Sequence, residues 1–191
     1  TGARFQKKVI TMEGQVFAYL FNNYIAGHPL ADYSVMTTGA YGVKQYSNIS
    51  AAVLYGAEAT VLVKPLSFLQ VKSTNTYNRG QDVKRRPLPL IAPFRSESTI
   101  SVIVKGYRFD ATPVYSAAQN RVSYEGYGEL PSKAFFIMNT GIGKTVKIKP
   151  VDLDLNLRVL NIFDSYYYEH LDILKIPRPG RNIEIHATIR F

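Results

Sequence analysis

Residues 151–159 read Val-Asp-Leu-Asp-Leu-Asn-Leu-Arg-Val, and the way they sort decides the fold class. The odd positions, Val151, Leu153, Leu155, Leu157 and Val159, are all aliphatic, while the even ones, Asp152, Asp154, Asn156 and Arg158, are polar or charged. A period of two separates the faces of an extended strand, whereas a helix would mix these residues around its circumference. The last segment repeats the pattern, with Ile183, Ile185, Ala187, Ile189 and Phe191 alternating with Asn182, Glu184, His186, Thr188 and Arg190.

Further upstream the alternation is noisier but persists. Ile100, Val102 and Val104 alternate with Thr99, Ser101 and Lys105, and Ala57, Ala59, Val61 and Val63 alternate with Glu58, Thr60 and Lys64; Ile103 and Leu62 break the two patterns. Aromatic, Val, Ile and Thr residues mark four more strands, near 13–24, 67–77, 112–119 and 135–147. Stretches with a helical period are short and interrupted by Gly or Pro, so the expected class is all-β, an antiparallel sheet of eight strands.

The connections alternate in length. Residues 64–65, 108–111 and 149–150 read as tight turns, and 26–42, 78–95, 120–134 and 164–180 as long loops. Long and short connections at opposite ends of a sheet are the asymmetry of transmembrane β-barrels, and an even strand count places both chain ends at the short-turn end. A complete eight-stranded barrel with an adhesin or structural role, and a soluble β-sandwich or lipocalin-like binder, are the alternative architectures.

Composition narrows the chemistry. The 191 residues are 46% hydrophobic, the range of one globular unit, and no run of about 18 apolar residues offers a transmembrane helix. The net charge of +9 suits a polyanionic partner if it is gathered in one patch. With no Cys and three His, disulfides and thiolate sites are excluded, and neither a bound metal nor a cofactor is expected. The chain opens on Thr1 without an apolar leader, as expected of a mature product or an excised piece.

Several residues look like chemistry. Gly141 to Thr145 resembles the end of a phosphate-binding loop, but Met138 stands where its first glycine belongs. Asp152 and Asp154 share their face with Arg158, which reads as ion pairing rather than acid–base catalysis, and no enzyme is expected. Arg79, Lys84, Arg85 and Arg86, with Asp82 among them, form a basic loop tip suited to an anion or to lipopolysaccharide; the run contains no aromatic residue, so nucleic acid is not expected. His28, Tyr167, Tyr168 and His170 are candidate ligand contacts, because imidazole and phenol groups bind metal complexes, and His186 is expected on the interior face.

Leu160 to Asp164, Tyr166 to His170 and Pro179 to Asn182, followed by a strand ending on Phe191, resemble the end of a TonB-dependent outer-membrane receptor. Weaker echoes are Tyr55 to Glu58, Ala92 to Arg95 and Ala118 to Arg121. The resemblance implies the C-terminal part of a barrel of about 22 strands enclosing a plug, in the outer membrane of a Gram-negative bacterium. It implies uptake of a metal chelate of the siderophore, haem or cobalamin type. The implied partners are the bilayer and lipopolysaccharide, the remaining barrel and plug, which this chain lacks, and TonB acting through the missing N-terminal part. Phe191 matches the aromatic ending that such barrels present for assembly.

Overall fold

The computed structural model describes residues 1–30, 33, 42–123 and 128–191. Nine strands are seen there: β1 (Gly2–Lys7), β2 (Ile10–Leu30), β3 (Val43–Leu66), β4 (Leu69–Asp82), β5 (Arg95–Val104), β6 (Tyr107–Ser116), β7 (Phe135–Ile148), β8 (Val151–Leu160) and β9 (Asn182–Arg190). They form one antiparallel sheet in sequence order, each strand beside the next. The sheet is open, because β9 pairs with β8 and β1 with β2, so residues 13–24 do not close an eight-stranded barrel against β9.

Four expectations are corrected. There are nine strands rather than eight, and β1 runs from mid-sheet towards its turn, with Gly2 opposite Gln15, so only the C-terminus lies at the short-turn end. The turn placed at 108–111 is at Lys105 and Gly106, whose φ angles of 50° and 78° suit a two-residue hairpin with both residues left-handed. The turn placed at 64–65 is at 67–68; Pro65 has no N–H to give to the ladder and lies in the register shift between Val63 and Leu66. His28 and Arg79, read as loop residues, lie in β2 and β4.

Register divides the sheet into two chemically distinct faces. On one side lie Leu155 and Leu157 of β8, Ile183, Ile185 and Ile189 of β9, Phe109 of β6 and Ile100 of β5, all exposed. The other side is a continuous polar network. Ser101 donates to Asp110 at 2.6 Å, Arg108 reaches Asp110 at 2.9 Å and Asn156 at 3.1 Å, and Thr145 donates to Asp154, which also takes Arg190. Arg158 meets Glu184 at 3.4 Å, and so does His186, at 3.3 Å. A groove of about 720 Å³ lies against this face and is bounded by residues from β4 to β9, among them Gln70, Thr99, Asp110, Asn139, Arg158 and His186. Asp154 is thus an ion-pair and hydrogen-bond partner within the wall, whereas Asp152 has no such partner among the described residues and Arg158 pairs with Glu184 instead of either aspartate; Gly141 to Thr145 belongs to β7.

A compact folded chain of 21.5 kDa exposes about 9,200 Å², whereas this one exposes 13,347 Å² and has no large side chain fully buried among its described residues. That distribution fits a wall with solvent or a plug on one side and hydrocarbon on the other, and not a sandwich that encloses its apolar faces. Outward aromatics mark the edges of the apolar band. On β6, Tyr107 and Tyr115 are 115 − 107 = 8 residues apart, about 26 Å along the strand and about 20 Å along the membrane normal at a tilt of about 40°. Lys144 donates to the Tyr107 hydroxyl at 2.9 Å, carrying its charge to the lower edge.

Candidate functional site

The long connections meet at the end of the sheet opposite the short turns. Strand β4 ends on Asp82, whose buried carboxylate accepts the backbone N–H groups of Lys84 and Arg86, each at 2.9 Å, and the Arg86 side chain at 2.6 Å. Burial works to raise the Asp82 pKa, but these bonds together outweigh it and hold the carboxyl below its ordinary value. The effect is a folded loop tip that fixes Arg86.

Strand β2 supplies the opposite wall. Phe17, Tyr19 and Phe21 occupy its interior face with their rings in sequence contact, and Asn23, at φ 58°, turns the strand so that Tyr24 lies edge-on to Phe21 at 5.5 Å. Beyond this point Ala26 and His28 line a cavity of about 470 Å³ with Ile49, Asp82, Arg86 and Leu88. His28 and Arg86 are therefore brought together, whereas Arg85 is exposed on the loop tip and Arg79 faces outward beside Tyr55.

A second cluster locks three loops to one another. His170 is 3% exposed, with Nε2 at 2.9 Å from Glu129 and Nδ1 at 3.0 Å from Ser132. Glu129 also accepts the N–H groups of Leu90 and Ser123, each at 2.8 Å, which joins loop 83–94 to loop 117–134 and both to loop 161–181. Burial raises the Glu129 pKa, but the His170 bond and the two amides outweigh it, so the carboxyl is held low. Arg95 reaches Glu169 at 3.0 Å and fastens the same loop to β5. Three of the four long connections gather as expected, and the fourth, 31–42, lies almost wholly outside the described residues.

Tyr167 packs against Phe135 with the rings tilted by 41° and their centroids 4.6 Å apart, and burial, then the charge of Glu169, raises its phenol pKa. Tyr168 has the Lys175 ammonium 5.8 Å from its ring. Phe191, wholly exposed, ends the chain beyond β9. The sequence motifs also find a local reason. Asn161, at φ 49° and buried, exchanges hydrogen bonds with the Ser165 backbone, and Asp164 accepts the Arg181 N–H at 2.7 Å, closing the foot of loop 161–181 beside Gly180. Glu129 and Ser132 were not singled out by the sequence, and Arg121 only as the end of a motif, since their partners lie about 40 residues away.

No protein-family model and no curated protein matches the chain. Among solved structures it is similar to the copper transporter OprC, with a TM-score of 0.81 at 18% identity over 95% of this chain. The FrpB iron transporter of Neisseria meningitidis follows with 0.68 at 13% identity over 96%, and the siderophore receptor PirA of Acinetobacter baumannii with 0.64 at 17% over 98%. The chain spans about 29% of the length of the first of these. Its fold is that of the C-terminal barrel portion of TonB-dependent receptors, as the resemblance implied.

Proposed function

We propose that these residues form the last strands and outer loops of an outer-membrane TonB-dependent receptor that takes up a metal chelate. The observation that carries this reading is the open nine-stranded sheet, apolar outside and hydrogen-bonded inside, superposing on transporters for copper and iron and on a siderophore receptor. The missing neighbours of β1 and β9 are then the earlier strands of the same barrel, and the polar groove faces a plug through which TonB acts. Phe191 serves as the assembly signal.

The chelate contacts are assigned to the loop-end cavity. Arg86 supplies a fixed cation, His28 an imidazole, and the ladder from Phe17 to Tyr24 a wall of aromatic faces, a combination suited to an anionic complex with aromatic or other planar donor groups. Tyr167 and Tyr168 stand at the rim of the same end, and His170 acts through the loops it holds. The test is uptake of labelled iron siderophores, haem, cobalamin and copper complexes by cells lacking the intact protein. Loss of one of them, with Arg86→Ala weakening its binding, is expected; unchanged uptake of all four classes overturns the proposal.

A further inference from the structure

Two guanidinium groups outside the interior cavity remain unused by it. Arg79 lies on the outward face of β4, one outward position above Tyr77 and opposite Tyr55 of β3, while its neighbour Gly80 faces inward against Leu88 and Ile91. Among the described residues no carboxylate or other acceptor meets the Arg79 guanidinium, and its Nε is buried without a partner. Arg121 reaches the same place from loop 117–134. It donates to the Gly80 carbonyl at 2.8 Å, to Gln81 at 2.9 Å and to the Arg85 carbonyl at 3.3 Å, which uses three of its five N–H donors. Burial, and after it the charge of Arg79, lowers the Arg121 pKa, and Tyr55 and Tyr77 are within the same electrostatic reach.

A pair of cations held together by neutral acceptors, with donors to spare and no acid between them among the described residues, is arranged for an anion. Its height identifies the source. Tyr77 and Tyr115 mark the upper aromatic level of the outward face, and Arg79 is two residues further along its strand, about 5 Å higher, where lipid headgroups begin. The interior chelate cannot be its ligand, because the sheet stands between them.

We infer that Arg79 and Arg121 form an outward-facing site for a phosphate group of an outer-leaflet glycolipid, gripped at the level of the Tyr55 and Tyr77 rings. The inference rests on the membrane reading above and adds a lipid partner to it.

The experiment is native mass spectrometry of the intact receptor in detergent, titrated with a phosphorylated glycolipid, its dephosphorylated form and inorganic phosphate. Arg79→Gln breaks no bond among the described residues and should weaken binding of the phosphorylated lipid about fivefold; with Arg121→Gln added, the loss should reach about 30-fold. The dephosphorylated lipid should bind weakly to the native protein and no differently to the variants. Equal affinity for both lipids, no effect of either substitution, or inorganic phosphate binding as tightly as the lipid each overturns the site. Heat-modifiable migration of the variants reports barrel folding separately, so a protein that is no membrane barrel is distinguished from a barrel without this site.

Discussion

His170 and Glu129 show how much one pair can hold. Replacing His170 by Ala leaves a buried carboxylate with two amide donors and no imidazole, at a cost of about 1–3 kcal/mol. The expected outcome is a local loss of amide-exchange protection at Leu90, Ser123 and Ser132 with the strands unaffected. Acid acts on the same pair. The Glu129 carboxyl is depressed below its ordinary value of 4.5, so its contribution is present at neutral pH and lost as pH falls through that lower folded value; limited proteolysis of the loops should accelerate there. Gly56 is a second sensitive residue, because a Cβ there would come within 2.6 Å of the Phe17 ring and would crowd the Tyr77 carbonyl of the neighbouring strand. Gly56→Ala should therefore cost about 1–3 kcal/mol in urea unfolding of the intact barrel.

Strands β8 and β9 give the sharpest test of the two faces. Leu155→Arg places a cation in the outward band and should cost about 2–4 kcal/mol in folding into lipid vesicles, whereas Asn156→Arg, on the polar wall beside Arg108, should cost less than half of that. Both faces of these strands were legible in the sequence, since their period of two is unbroken. β1 was not, because Gly2–Lys7 is too short to establish a period and carries Arg4 and Lys7. The top of β2, residues 26–30, was read as loop and the upper part of β3 was not recognised as strand, because beyond the left-handed Asn23 the parity that faces inward reverses, and a periodicity argument ends where parity changes. In the loops the sequence pointed to Arg86 together with Asp82, four residues away, which fixes it, but to His170 without Glu129, which is 41 residues off where no local pattern encodes the contact.

For the whole molecule the decisive features are the two unpaired edges. A strand in hydrocarbon must satisfy its amides on both sides, at several kcal/mol for each one left open, and β9 has only β8. Refolded alone into vesicles, the 191 residues should aggregate or stay sensitive to protease, while mixing with the separately produced remainder of the barrel should restore a heat-resistant band. A closed monomer from this chain alone would contradict the open sheet. The strand lengths matter as well. β2 and β3 run for 21 and 24 residues, about twice the 9–11 that cross a bilayer.

That tall ribbon differs from the rest of the chain in charge. Residues 16–30 and 42–57 contain a single charged side chain, Lys44, within a chain of net charge +9. In the proposed barrel, a ribbon with so little charge scarcely attracts or repels an incoming ion at a distance, and long-range steering falls to charges nearer the membrane, within a screening length of about 8 Å at physiological salt. Ligand capture that begins on the ribbon should thus proceed at a rate indifferent to ionic strength, and only its later transfer to Arg86 should slow as salt is added.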